Sequence, residues 1–261
     1  MKKYIYLLFL SLSLIACEKE IVIDYHDAMP RYVVEGSITP RGTTVRISYT
    51  QSMNEAHKAS DIDNAKVTIT TDDGTVETIP YDDEGYYRSD FFGRPGITYQ
   101  LDVYLDDSHF SSTSTMHQMP MVTSFRLVRR KMITENYIFG DVRVRDIPNE
   151  ENWYYLHVYR NNVGYRWAVM KDDTNPNKVL QHMFTFDREG SSDGVKEGDE
   201  LYVSVRAIDK AAYDYLYSME QMNNTGTNPI YNFTGGCLGY FTAYSSMGYG
   251  IIYHEEDVED E

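Results

Sequence analysis

The residues of this chain whose types could do chemistry are two cysteines, a knot of glycines, dispersed histidines and several acidic pairs. Cys237 sits in "NFTGGCLGYF" with no histidine or charged neighbour. A nucleophilic thiol needs an adjacent base and a depressed pKa, so Cys237 reads as a small thiol in a core. The glycines around it, Gly235, Gly236 and Gly239, invite a phosphate-loop reading. No Lys-Ser/Thr follows and no helix opens there. A close backbone approach before a strand explains them better. The seven histidines share no helical pair spacing, so no zinc set is read from them. Asp72-Asp73-Gly74 and Asp82-Asp83-Glu84-Gly85 miss the ligand spacing of a calcium loop and read as hairpin turns. Carboxylate pairs hydrolyse glycosides, but the many acids here offer no means of choosing two, and no Gly-x-Ser-x-Gly elbow occurs. The sequence assigns no catalytic residue, metal or cofactor, and the chain is read as a non-enzyme.

One strand carries a different kind of chemistry. "WYYLHVYRNNVGYRWAVM" places Trp153, Tyr155, His157 and Tyr159 on one face and Tyr154, Leu156 and Val158 on the other. An exposed aromatic face stacks on sugars or planar ligands, or anchors a protein interface. The alternative is that this face is core, or is buried between two domains.

Cys17 ends a leader. Lys2 and Lys3 precede an uncharged, mostly apolar run from Tyr4 to Ile15, shorter than the roughly 20 residues that span a bilayer. This is the layout of a secretory signal. The order Leu14-Ile15-Ala16-Cys17 resembles a bacterial lipobox, in which the cysteine thiol receives palmitate-type acyl chains and the chain is cut before it. Cys17 is therefore the expected lipidation site and the expected mature N-terminus. Loss of the two lysines leaves 22 basic against 40 acidic residues, a net charge of −18. Such a chain repels phosphate backbones, so nucleic acid is excluded as a partner. Anionic lipid headgroups repel it too, which leaves the anchor to hold it to a membrane. With Cys17 acylated, Cys237 has no disulfide partner in the chain.

The elements that must position these residues are strands. Aromatic and β-branched residues dominate, with 24 tyrosines. Residues 1–16 form the leader and 17–30 a tether. Residues 31–120 hold six or seven short strands with turns every 8–12 residues, the pattern of an immunoglobulin or fibronectin-III-like β-sandwich. The hairpin "KVTITTDDGTVETI" turns at Asp73-Gly74. Residues 51–64 read as a loop. Residues 121–253 form a second β-sandwich-like domain, with strands near 122–131, 137–146, 152–160, 164–170, 181–187 and 200–207 and a final strand in "CLGYFTAYS". Loops fall at "NPNK" and "REGSSDG". Ala212, Tyr215, Leu216 and Met219 recur at helical spacing, which predicts one helix near 209–222 with Asp209 as its N-cap. Residues 254–261, "HEEDVEDE", form an acidic tail expected to be solvated and disordered. The fold class is mostly β, as two sandwich-like domains.

Three features together resemble the lipoproteins of Bacteroidetes-type bacteria that carry domain of unknown function 4249. They are the lipobox cysteine followed by "IVID", the late helix "AAYDYLYSMEQMNN", and "NPIYNFTGGCLGYFTAYS". In the last, Pro229, Asn232, Gly235, Gly236, Gly239, Tyr240, Phe241, Ala243 and Ser245 match the family's pattern. The stretch "GGCLG" departs from it, being longer than the expected glycine turn. The resemblance covers the mature chain. It implies an outer-membrane lipoprotein, and Glu18-Lys19-Glu20 resembles the charged export stretch of surface-displayed relatives; the periplasmic face stays open. Such families lie beside TonB-dependent transporters, which implies an accessory role in ligand capture or uptake. A surface hydrolase with an inter-domain site, or a structural surface-assembly component, are the rival expectations.

Overall fold

The computed structural model describes residues 29–51, 61–147, 150–172, 179–188, 194–225 and 228–261. The leader, Cys17, the tether up to residue 28, residues 52–60 of the expected loop, "NPNK" and most of "REGSSDG" lie outside them.

Strands β1 (Tyr32–Thr39), β2 (Gly42–Tyr49) and β6 (Tyr86–Ser89) form one sheet of the first sandwich, with β5 (Tyr81–Asp83) on its edge. β3 (Lys66–Thr71), β4 (Val76–Ile79), β7 (Thr98–Leu105) and β8 (Ser108–Thr115) form the other, in the order β4-β3-β7-β8. The arrangement is a fibronectin-III-like sandwich whose first sheet is completed to five strands by a late strand of the chain, described below. Alternation drives the packing: Leu101, Val103 and Leu105 of β7 are buried against Val34, Val45 and Ile47 of the facing sheet. The β3–β4 hairpin forms at the expected place. Asp73 accepts from the Thr71 hydroxyl and the Thr75 N–H, which hold its carboxyl down at about 2.

The second sandwich packs two four-stranded sheets. β9 (Met121–Met132), β10 (Glu135–Arg145), β13 (Val179–Arg188) and β17 (Glu259–Asp260) run in the order β13-β10-β9-β17. β11 (Trp153–Arg160), β12 (Val163–Lys171), β14 (Glu200–Ile208) and β16 (Ser245–Ile252) run as β12-β11-β14-β16. Phe125, Val142, Tyr154, Leu156, Val203 and Phe186 fill the space between them. Helix α1 (Lys210–Thr225) begins where expected, with the Asp209 carboxylate accepting the Ala212 N–H at 3.0 Å. No helix among the described residues is long and apolar enough to cross a membrane.

Two parts of the sequence reading are corrected. The span 121–253 does not stay in the second sandwich. β15 (Leu238–Ala243) returns to the first and pairs in parallel with β1, from Val33↔Leu238 to Ile38↔Ala243. Its residues Phe241 and Ala243 belong to the first core. The chain then crosses back through Tyr244 into β16, a strand absent from the sequence reading. The acidic tail is largely exposed, as expected, but it is not a disordered end. Residues 255–257 form a single helical turn, and β17 pairs in parallel with β9. Opposite charge explains this: Arg126 pairs with Glu259 and Glu261, Arg129 with Glu255 and Asp260, and Arg130 with Glu261.

Candidate functional site: a groove where the two sandwiches meet

The outward face of the β12-β11-β14-β16 sheet is the aromatic face expected from β11. Tyr154, Leu156 and Val158 point into the core. Trp153, Tyr155, His157 and Tyr159 point out, and this face divides in two.

The inner half is covered. Tyr155, with Ile208 from β14, packs under Ala212, Tyr215 and Leu216 of α1, with Trp153, Val169, Tyr240 and Tyr244 around them. Burial pushes the Tyr155 phenol up. The family-pattern residues lie at this junction and hold it. Gly239 takes φ +99°, and a Cβ there would stand 1.9 Å from the Val34 carbonyl oxygen, so only glycine lets β15 lie this close to β1. Its N–H donates to the Tyr215 hydroxyl at 3.2 Å, and Tyr215 stacks on Tyr240. The Asn232 side-chain oxygen accepts from the Phe241 N–H and the Ser112 hydroxyl. The Ser114 hydroxyl accepts the Ala243 N–H and donates to Asp209. Asp209 is pushed up by burial, a shift opposed by the Ser114 hydrogen bond. Gly239, and Gly235, whose Cβ would stand 2.1 Å from the His109 carbonyl oxygen, are thus close-packing positions, whereas Gly236 faces open space. Cys237 is buried in the first core, where burial pushes its thiol up to about 12. A thiol so far from ionisation is unreactive at neutral pH.

The outer half is open. Here the sheet lines a groove of about 320 Å³, to which the first sandwich contributes one residue, Arg41. Tyr159, Tyr202, Ser204 and Arg206 line it from the sheet, Tyr244 from the crossover, and Arg41 from the β1–β2 turn. A cross-strand neighbour of Tyr155, Arg206 has its guanidinium held over two rings, 5.0 Å from the Tyr155 centroid and 4.8 Å from that of Tyr244. His157 lies half-buried beside them, its pKa lowered by burial and by the Arg206 charge. Further along the same strand face as Arg206, Tyr202 has 45% of its surface exposed. Its ring lies over β16 at Gly248, where a Cβ would come within 1.8 Å of the phenol oxygen. A second groove of about 320 Å³ continues on the far side of Tyr202 and shares Asn162 with the first. The arrangement offers flat stacking surfaces, hydroxyls and a guanidinium edge, which is the equipment of a binding site. A larger depression of about 510 Å³ beside β5 and β6 is less suited, because its Arg88 is already paired with Asp82 and Asp83.

The sequence set Trp153, Tyr155, His157 and Tyr159 on one face; of these only Tyr159 lines the groove, Tyr155 being buried under the helix, and Arg206, Tyr202, Tyr244, Arg41 and Gly248 were missed. For two of these a signal existed: "ELYVSVRAI" alternates, which sets Tyr202, Ser204 and Arg206 on one face. Arg41 and Tyr244 reach the groove from far away in the chain. Cys17 lies outside the described residues. Among those residues, no group of three His, Cys, Asp or Glu side chains could hold a metal ion.

This architecture defines a mostly β chain of two joined sandwiches with an aromatic groove between them. The family profile described as Domain of unknown function (DUF4249) matches residues 18–248, and the chain belongs to that family. No curated protein matches the sequence. Among solved structures, a two fibronectin type-III domain segment from chicken tenascin is similar at 12% identity and a TM-score of 0.24, over 86% of this chain and 99% of that one.

Proposed function

We propose that this protein is a non-enzymatic lipoprotein, held in the outer membrane of a Bacteroidetes-type bacterium by acyl chains on Cys17 and displayed at the cell surface. There it captures a ligand in the inter-sandwich groove and passes it to a TonB-dependent transporter. The observation that carries the reading is Leu14-Ile15-Ala16-Cys17 at the end of a short apolar leader. Net charge supports it, since an acidic body needs a covalent anchor to stay beside an anionic bilayer. Anchoring confines the groove to the layer of space above the pore, raising its effective concentration there without any new contact.

Membrane fractionation and co-purification test this directly. The native protein is expected in the outer-membrane fraction and brings a TonB-dependent transporter with it. Cys17→Ser is expected to release it to the soluble fraction and to leave the leader uncut. A Cys17→Ser protein that is processed and membrane-bound like the native one would overturn the reading.

A further inference from the structure

We propose that the inter-sandwich groove binds an anionic saccharide, stacking its pyranose rings on Tyr202 and Tyr159 and taking its carboxylate or sulfate on Arg206 and Arg41. The inference rests on the ligand-capture reading and gives that ligand a chemical class.

Charge bookkeeping points to an anion. Arg206 is half-buried, whereas Arg94, Arg145 and Arg166, which also lack a carboxylate partner among the described residues, are exposed, and Arg31 donates to the Tyr231 hydroxyl and the Gly236 carbonyl. Arg88, Arg126, Arg129, Arg130 and Arg160 all pair with acids. Among the described residues no carboxylate pairs with Arg206. Its partners are the faces of two tyrosines. A ring over the flat of a guanidinium leaves the in-plane N–H donors unused, and their fork matches a carboxylate or sulfate. The clamp also fixes the head group in advance, so little entropy is lost when it binds. Arg41 brings a second exposed guanidinium from the first sandwich, likewise without a carboxylate partner among the described residues.

Shape points to a sugar. Tyr202 is an exposed, flat ring laid across a strand at Gly248, with Tyr159 next to it at a centroid distance of 6.1 Å. Ser204, Ser246 and Asn162 stand between and beside the rings. Neighbouring rings tilted by 50° and edged by hydroxyls and an amide suit the apolar faces and polar rims of successive pyranoses. Equal grooves on both sides of Tyr202 suit an oligomer rather than a single ring.

The test titrates the full-length mature protein calorimetrically with tetragalacturonate, a sulfated chondroitin tetrasaccharide, neutral cellotetraose and a tetraglutamate peptide. Binding of at least one anionic saccharide is expected, with cellotetraose and tetraglutamate at least about tenfold weaker, as loss of a hydrogen-bonded charge or of stacking implies. Binding of tetragalacturonate shows that a carboxylate suffices; because chondroitin carries uronate carboxylates as well as sulfates, binding of its sulfated form alone points to the sulfate. Arg41→Gln and Tyr202→Ala alter exposed side chains, and each is expected to weaken binding at least about tenfold with the melting temperature unchanged. No binding by either anionic saccharide overturns the inference, as does equal binding of cellotetraose or tetraglutamate, or affinity unchanged in both variants. If the transporter co-purifies while no saccharide binds, the inference falls and the anchored accessory role stands.

Discussion

At the scale of single residues, glycine identity is explained by what a methyl group would meet. Gly74 and Gly239 have similar backbones, at φ +85° and +99°. Nothing lies within 4 Å of a Cβ built at Gly74, whereas one at Gly239 would strike the Val34 carbonyl at 1.9 Å. Gly74→Ala should therefore cost only the left-handed backbone penalty, about 1–2 kcal/mol. Gly239→Ala adds an overlap with backbone that no rotamer relieves, and should cost at least about 3–4 kcal/mol. Urea unfolding midpoints of the two variants check this, and equal losses would contradict it. The sequence made both positions legible as glycines with a structural task. It could not rank them, because the partner of Gly239 is a strand some 200 residues earlier in the chain.

Elements fail to be legible for the same reason. Strand boundaries in the second sandwich lie close to those read from alternation, since that signal is local to each strand. The tail 254–261 reads as a disordered acidic run only while "RLVRR" of β9 is left out of account. Together they form a latch on the β9 edge, with the Glu261 N–H donating to the Arg129 carbonyl at 3.0 Å. Arg126 also links this edge to the buried carboxylate of Asp141, at 2.9 Å. At the latch's other end His254 pairs with Glu197. That hydrogen bond raises the His254 pKa above its usual value and lowers that of Glu197, while Arg130 lowers that of Glu261. The His254 contribution is complete below its ordinary pKa of 6.5 and disappears as pH rises through the raised value. The two glutamates contribute above their ordinary 4.5 and lose that as pH falls through their lowered values. The hydrogen-exchange protection factor of the Glu261 amide should thus peak between those limits and fall on either side. It should also fall in about 1 M salt, where charges are screened beyond about 3 Å. A protection factor indifferent to both pH and salt would show that the backbone pairing alone holds the tail.

The whole molecule is held together by a strand that changes sandwich. Sequence reading split the chain at residue 120, because Met119-Pro120 interrupts the strand pattern and a new alternating run begins. It had no local means of seeing β15 return. The clue was there in "LGYFTA", which is apolar on both faces, as a strand buried in a parallel pair is. The consequence is mechanical. Linked domains move relative to one another by default, yet separating these two means breaking the six-residue β1–β15 ladder and withdrawing Phe241, which is fully buried in the first core. Loss of a buried phenylalanine alone costs about 3–5 kcal/mol. The groove takes Arg41 from the first sandwich, so this interlock is also what fixes Arg41 in the same groove as Arg206. The two sandwiches should then unfold as one unit. Trp153 and Trp167, the only tryptophans, report the second sandwich, and Cys237 lies in the core of the first. In a Cys17→Ser protein Cys237 is the sole thiol, so its reactivity toward a thiol reagent and the tryptophan fluorescence follow the two halves separately through a urea titration. Coincident midpoints are expected. A thiol that reacts well before the fluorescence changes would mean that the first sandwich opens alone, and that Arg41 has no fixed place in the groove.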